Sequence, residues 1–135
     1  MEYTYTIIKD DYANAGKVSS QIKKLFKDLQ INPDIIRRMA IACYEAEINM
    51  IIHSYGGIIK LTIDDEVHFI FKDSGPGIPN IDLALQPGYS TADERARELG
   101  FGAGMGLSNI KRVSDEFSIE SCEKGTVLTL GFKVL

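Results

Sequence analysis

The hydrophobic positions of the chain alternate in some segments and recur at helical spacing in others. Residues 3–8 (YTYTII) alternate, which predicts a β-strand. Over residues 12–29 the apolar side chains return every three or four positions, which predicts an amphipathic helix. Asn32 followed by Pro33 is a typical helix start, so a second helix is predicted over residues 33–54. The first part of the chain is therefore predicted as one strand and two helices.

Two strands and a short periodic piece are predicted next. Residues 58–63 and 66–73 are apolar at alternate positions and flank an Asp-Asp turn, as in a β-hairpin. Glycines and prolines then interrupt the pattern, and an apolar period returns over residues 81–86. Residues 87–103 are predicted to form a mobile loop.

The last part of the chain is predicted as a helix followed by two strands. Helical spacing covers residues 106–117, and the strands fall on residues 117–121 and 126–134, separated by a turn. No repeat or linker divides the chain, so residues 1–135 are predicted to form a single domain. This order of elements predicts an α+β fold, with helices on one face of a mostly antiparallel sheet.

Composition and charge narrow the class of protein. The chain has 135 residues, of which 44% are hydrophobic and 25% charged, as in an ordinary globular domain. Its net charge of −4 argues against nucleic acid as a partner, because phosphate binding requires a basic surface. Cys43 and Cys122 form no CxxC pair and are predicted to stay reduced. The chain shows no long apolar run and no signal pattern, so we expect a soluble cytoplasmic protein without a membrane partner.

Three polar residues follow one stripe of the second predicted helix. Glu45, Asn49 and His53 are spaced four apart in an otherwise apolar segment. Asparagine is a poor residue for a helix interior, and its carbonyl oxygen suits Mg²⁺, which takes few protein ligands beside phosphate. For Glu45 alone, a solvated helix edge is an equally good interpretation. Glu47 lies on another face and is the weaker candidate, and we expect His53 and His68 to be structural.

The segment DSGPGI places an aspartate at the end of a predicted strand, with two glycines behind it. Asp73, Gly75 and Gly77 fit an ordinary turn. They also fit a nucleotide site, where the carboxylate accepts a hydrogen bond from an amine such as that of adenine, worth about 1.5–3 kcal/mol. Both interpretations remain open for this segment alone.

The segment GFGAGMGLSNI carries glycine at positions 100, 102, 104 and 106, ahead of the third predicted helix. Its GxGxG spacing differs from the GxGxxG dinucleotide fingerprint, and no strand precedes it. The chain also lacks the GK[ST] element of a P-loop. A phosphate-binding loop at a helix N-terminus and a glycine-rich hinge both remain open.

Taken in order, these three clusters resemble the Bergerat-fold ATP-binding domain of the gyrase, Hsp90, histidine-kinase and MutL superfamily. Glu45 to Asn49 match its N-box, Asp73 to Gly77 its first glycine box, and Gly102 to Gly106 its second. The resemblance implies a two-layer α+β sandwich, with a mostly antiparallel mixed sheet and helices on one face. The length and the segments YEAEINMIIHSY, QPGYST and SDEFSIES are most similar to stand-alone anti-sigma-factor serine/threonine kinases, in the stressosome switch-kinase branch.

The resemblance also implies roles for individual residues. Glu45 would be the general base, and Asn49 would coordinate Mg²⁺ on the phosphates of ATP. Asp73 would bind adenine, helped by Thr126. The other nucleotide-binding residues would lie in the glycine boxes and in the loop between them, which would close over the phosphates as a lid. These residues are Gly75, Gly77, Ile78, Ser90, Thr91, Gly102, Gly104, Met105, Gly106 and Leu107.

The implied function is that of a kinase that uses Mg-ATP to phosphorylate a serine of a STAS-type anti-sigma-factor antagonist. The resemblance further implies a homodimer, with a sigma factor or a downstream phosphatase as additional partners. A second interpretation is a non-catalytic module whose ATP holds it in a shape that sequesters a sigma factor or another regulator. A third is a detached catalytic domain that acts on a phosphoacceptor histidine.

Overall fold

The computed structural model describes residues 1–86 and 106–135 of the chain. Its elements in chain order are β1 (Glu2–Ile7), a 3₁₀ turn (Tyr12–Asn14), α1 (Lys17–Asp28), α2 (Pro33–His53), β2 (Gly57–Ile63), β3 (Glu66–Asp73), α3 (Ile81–Ala84), α4 (Gly106–Val113), β4 (Glu116–Cys122) and β5 (Gly125–Lys133). The predicted order of elements is confirmed over these residues. None of the helices described here combines the length and the apolar character needed to cross a membrane.

The strands of the described residues form one five-stranded sheet in the order β1-β2-β3-β5-β4. Each neighbouring pair is antiparallel, so the sheet is antiparallel rather than mixed as the resemblance implied. For β2 and β3 the connectivity explains this direction, because the two-residue link at residues 64–65 joins them as a hairpin. The α+β class is confirmed.

The helices pack on one face of the sheet and form the hydrophobic core with it. Phe69 of β3 contacts Phe26 of α1 and Phe132 of β5 edge to face, with ring centroids 6.2 and 6.0 Å away. Buried side chains alternate along β2, β3 and β5, so the opposite face of the sheet is more exposed. α2 contributes nine buried residues, among them Met39 and Ala42. Helix α2 is therefore held firmly against the sheet.

The starts of the first two helices differ in how they are capped. The side chain of Asn32 accepts a hydrogen bond from the N–H of Asp34 at 2.8 Å, so α2 begins as predicted. Helix α1 begins at Lys17 rather than at residue 12. Gly16 adopts a φ of 86° and separates α1 from the 3₁₀ turn at Tyr12–Asn14. Since glycine has no side chain, α1 starts without a cap from its own N-cap residue.

Helix α4 ends earlier than its sequence pattern predicted. It stops at Val113, where the carbonyl accepts a hydrogen bond from Nε of Arg38 at 3.0 Å. The hydroxyl of Ser114 donates to the carbonyl of Ile110 at 2.7 Å. The bond from Arg38 satisfies a carbonyl that an ending helix leaves without a backbone partner. Residues 116 and 117, predicted as helical, therefore belong to β4.

Candidate functional site

Glu45 and Asn49 lie one turn apart on α2 and face the first residue of α4. A methyl group added at Gly106 would lie 3.1 Å from both polar atoms of the Asn49 amide and 3.4 Å from Oε2 of Glu45. Glycine thus allows the backbone of α4 to approach the two side chains closely. The N-terminus of α4, with its positive dipole end, is consequently next to Glu45 and Asn49.

The surroundings of Glu45 change the protonation of its carboxyl group. Partial burial raises its pKa, since removing water disfavours the charged form. A side-chain hydrogen bond with Asn109 of α4 acts in the opposite direction and lowers the pKa. A carboxylate with a raised pKa accepts a proton more readily than an exposed one. Glu45 is therefore suited to proton transfer.

Asp73, at the end of β3, is held by two backbone donors. Its Oδ1 accepts hydrogen bonds from the N–H of Gly75 at 3.0 Å and from the N–H of Thr126 at 2.9 Å. In the part of the chain that the structure describes, both donors reach the same carboxylate oxygen. The other oxygen, Oδ2, is thereby left to accept a hydrogen bond from a ligand.

The loop after Asp73 runs along the turn between β4 and β5. Gly77 has a φ of 91°, and a side chain there would collide with the carbonyl of Cys122. The N–H of Ile78 donates to Oγ of Ser121 at 2.7 Å, and this oxygen also bonds Oγ1 of Thr126 at 2.7 Å. Thr126 is only 8% exposed, so its hydroxyl is fixed within this network.

The predicted site residues form two clusters in the structure. One joins Glu45 and Asn49 to the start of α4, where Leu107 follows Gly106. The other contains Asp73, Gly75, Gly77, Ile78 and Thr126. The remaining predicted residues lie outside the described ranges, and so does the predicted loop. They are Ser90, Thr91, Gly102, Gly104 and Met105.

His68 lies outside both clusters. It is on the more exposed face of β3, where Nε2 is 3.4 Å from Glu66 and 3.9 Å from Glu116. These three side chains are all at least partly exposed, so the contacts add little to stability.

Glu47 has a structural role that its sequence position did not predict. Its side chain is 1% exposed, and it accepts hydrogen bonds from the N–H groups of Gly16 at 3.0 Å, Val18 at 3.4 Å and Ser19 at 2.8 Å. Glu47 therefore caps α1 from the neighbouring helix. The signal in the sequence was the glycine before Lys17, because a helix start without a capping side chain requires an acceptor from elsewhere.

Ser121 and Asn109 were missed as well. Ser121 connects the loop after Asp73 to Thr126, and the side chain of Asn109 lowers the pKa of Glu45. Neither relationship follows from spacing along the chain, because each joins residues that only the folded sheet and helices bring together.

The fold is that of a family of ATPase domains. The family described as histidine kinase-, DNA gyrase B-, and HSP90-like ATPase matches residues 35–135. The chain belongs to this family, and within it to the group that contains the anti-sigma F factors.

Two curated relatives illustrate this membership. An anti-sigma F factor of Geobacillus stearothermophilus is 34% identical over 111 residues, covering 75% of this chain and 73% of the relative. An anti-sigma F factor of Clostridium kluyveri (strain NBRC 12016) is 36% identical over 110 residues, covering 75% of this chain and 74% of the relative. The chain therefore spans most of the length of these relatives.

Two solved structures share the fold. The RsbU and RsbW domains of a Mycobacterium tuberculosis protein match with a TM-score of 0.63 and 18% identity, over 98% of this chain and 32% of theirs. The SiaB-SiaC complex of Pseudomonas aeruginosa matches with a TM-score of 0.56 and 12% identity, over 96% of this chain and 88% of that one. At these identities the likeness supports the fold alone.

Proposed function

We propose that this protein is an anti-sigma regulatory kinase. As a single domain it binds Mg-ATP and transfers the γ-phosphoryl group to a serine of a STAS-type anti-sigma-factor antagonist. The observation that carries the proposal is the position of Glu45 and Asn49 against the N-terminus of α4. Phosphoryl transfer needs mainly positioning and charge stabilisation, and a carboxylate, an amide oxygen and a helix N-terminus supply both.

The cluster around Asp73 suits adenine as the nucleobase of the bound nucleotide. With Oδ1 of Asp73 occupied by two backbone N–H groups, Oδ2 accepts a hydrogen bond from the exocyclic amine. Guanine presents a carbonyl oxygen at the corresponding position, which would repel the carboxylate. The pocket should therefore prefer ATP to GTP. Thr126, held by Ser121, adds a fixed hydroxyl beside Asp73.

The residues present suit a Mg²⁺ ion held jointly by protein and phosphates. Within residues 1–86 and 106–135, no group of three or more His, Cys, Asp or Glu residues is arranged to hold a metal. Asn49 offers one amide oxygen, and Mg²⁺ commonly takes one or two protein ligands beside phosphate oxygens and water. When bound, the ion neutralises negative charge on the phosphates.

We assign Glu45 as the general base. The serine oxygen forms a bond to the γ-phosphorus while the bond from that phosphorus to the ADP oxygen breaks, and Glu45 accepts the hydroxyl proton. The pKa of Glu45, raised by partial burial, favours this proton transfer. Glu47 has no such role, because its carboxylate is occupied by the N-terminus of α1.

The relatives favour an anti-sigma role. They are named anti-sigma F factors, at 34% and 36% identity. By this resemblance the protein acts in the cytoplasm as a homodimer, together with a sigma factor, a STAS antagonist and a downstream phosphatase. The same names also suit a second candidate function, a non-catalytic module that sequesters the sigma factor when ATP is bound.

The phosphorylated product distinguishes these functions. The protein is incubated with γ-labelled ATP, Mg²⁺ and candidate STAS-domain proteins, and the label is followed on each protein. The proposal predicts acid-stable phosphoserine on a STAS domain. ATP-dependent capture of a sigma factor without transfer of label would support the binding module instead, and acid-labile phosphohistidine would support a detached histidine-kinase domain.

A further inference from the structure

Ser121 joins the loop after Asp73 to the last strand through its hydroxyl group. Its Oγ accepts a hydrogen bond from the N–H of Ile78 at 2.7 Å and lies 2.7 Å from Oγ1 of Thr126. A serine hydroxyl has one proton and two lone pairs, so the N–H of Ile78 occupies one lone pair. The proton or the other lone pair therefore forms the bond with Thr126.

The direction of the bond between the two hydroxyl groups follows from the partners of Ser121. In the described part of the chain, Thr126 is the one acceptor to which Ser121 forms a hydrogen bond. If Thr126 donated instead, the proton of the partly buried Ser121 would have no acceptor there, which costs free energy. A hydroxyl that already accepts from an N–H is also a stronger donor, because hydrogen bonds in a chain polarise one another. Ser121 therefore donates, and the proton of Thr126 remains available.

Asp73 supplies the complementary half of this arrangement. The backbone N–H of Thr126 donates to Oδ1 of Asp73 at 2.9 Å, so the two residues are held together. The free oxygen of Asp73 accepts a hydrogen bond, whereas the hydroxyl of Thr126 donates one. Adenine has an amine donor next to the ring acceptor N1, and guanine has a carbonyl acceptor next to an N–H donor. An acceptor paired with a donor therefore matches adenine and opposes guanine.

We propose that Ser121 is a positioning residue that sets the base preference of the nucleotide site. It donates its proton to Thr126, whose own proton is then directed to N1 of adenine. The proposal rests on the proposed function, because it takes ATP to be bound at Asp73. It goes further in assigning the choice of base to a residue of β4 that acts on the nucleotide through Thr126.

The same hydrogen bonds make the base preference depend on the loop after β3. Gly77 has a φ of 91° and lies against the carbonyl of Cys122, and a side-chain carbon there would be 3.0 Å from Oγ of Ser121. This close approach of the loop to β4 keeps the N–H of Ile78 on Ser121. The position of the loop therefore controls which lone pairs and which proton of Ser121 are left for Thr126.

Binding of ATP and of 1-deaza-ATP, which lacks the acceptor N1, tests the proposal by calorimetry without a protein substrate. The wild type should bind ATP about tenfold more tightly than 1-deaza-ATP. In Ser121→Ala this preference should fall to within about twofold, because Thr126 loses the donor that orients it. Ser121→Cys, whose thiol is a weak donor, should behave similarly, and Ser121→Thr should retain the preference. Ser118→Ala, an exposed change on the same strand, is the matched control and should bind as the wild type does.

A purely structural role of Ser121 would give a different result. Loss of stability would weaken the binding of both nucleotides alike and leave the preference for ATP over 1-deaza-ATP unchanged. A wild-type preference in folded Ser121→Ala or Ser121→Cys would overturn the inference, and so would a wild type that binds the two nucleotides equally. A wild type that shows the preference but transfers no phosphate to a STAS domain would contradict the kinase function alone.

Discussion

The carboxylate of Glu47 accepts a hydrogen bond from the backbone N–H of Ser19 at 2.8 Å, which ties the middle of α2 to the first turn of α1. Its second oxygen accepts from Gly16 at 3.0 Å. Glu45, two residues earlier, points to another side of α2 and faces α4. Glu47 therefore serves the fold, whereas we propose that Glu45 serves the site.

Replacing Glu47 should reduce stability. Glu47→Ala leaves buried N–H groups of α1 without an acceptor, and we expect a loss of about 3 kcal/mol in the free energy of unfolding. Urea unfolding measures this loss. Glu45→Gln is the matched comparison, because its side chain is partly exposed, and we expect a change within about 0.5 kcal/mol. Equal stability of the two variants would contradict the capping role of Glu47.

Gly106→Ala should weaken nucleotide binding without unfolding the protein. The added methyl group would lie 3.1 Å from the amide atoms of Asn49, closer than ordinary contact, and would displace that side chain. We expect the Kd for ATP in calorimetry to rise about tenfold, a change of about 1.4 kcal/mol. Lys111→Ala, an exposed change on the same helix, should bind ATP normally. If Gly106→Ala bound ATP as tightly as the wild type, Asn49 would not belong to the site.

Asp73→Asn separates the structural task of this residue from its task in binding. The amide oxygen of asparagine still accepts from the N–H groups of Gly75 and Thr126, so stability should change by less than about 1 kcal/mol. Its NH₂ group would face the adenine amine, which is also a donor. We expect ATP affinity to fall by about one order of magnitude or more, and the preference for ATP over GTP to shrink. An unchanged preference for ATP over GTP would show that adenine binds elsewhere.

Asp115 should make stability depend on pH. The pKa of Asp115 is lowered chiefly by the hydrogen bond from the N–H of Lys133, and also by Arg38. A carboxyl group whose pKa is lower in the folded state adds stability above its unfolded pKa of about 3.9 and loses it as pH falls through the folded value.

The variant Asp115→Asn should therefore be less stable than the wild type by about 1 kcal/mol at neutral pH, with the gap closing under acid conditions. Urea unfolding at a series of pH values measures the gap. A gap that stays constant down to about pH 2 would show that the charge of Asp115 contributes nothing.

Local signals in the sequence predicted much of this fold. Asn32 with its following proline predicted the start of α2, and alternation predicted β2 and β3, because caps and strand faces depend on neighbouring residues. The predicted end of α4 was wrong. Helical spacing continues past Val113, but the bond from Arg38, distant in sequence, and the pairing of β4 with β5 decide where the helix stops.

The candidate site also combines residues with a local signal in the sequence and residues whose roles depend on contacts distant in sequence. Glu45 and Asn49 became candidates because polar residues are unusual in the apolar segment around them, and Asp73 because it ends a strand ahead of two glycines. Glu47 is unusual in the same way as Glu45, and only the three-dimensional position of α1 separates its capping role from catalysis. Asn109 gives no signal in the sequence, because nothing in its own helix indicates that its side chain lowers the pKa of Glu45.

In the proposed function, Glu45 serves phosphoryl transfer from ATP to a STAS-domain serine. The most direct measurement compares single-turnover transfer of γ-labelled phosphate by the wild type and by Glu45→Gln, with ATP binding measured by calorimetry on both. We predict acid-stable phosphoserine with the wild type, and loss of transfer with retained ATP binding in Glu45→Gln. Equal transfer by the two proteins would contradict the assignment of Glu45 as the base.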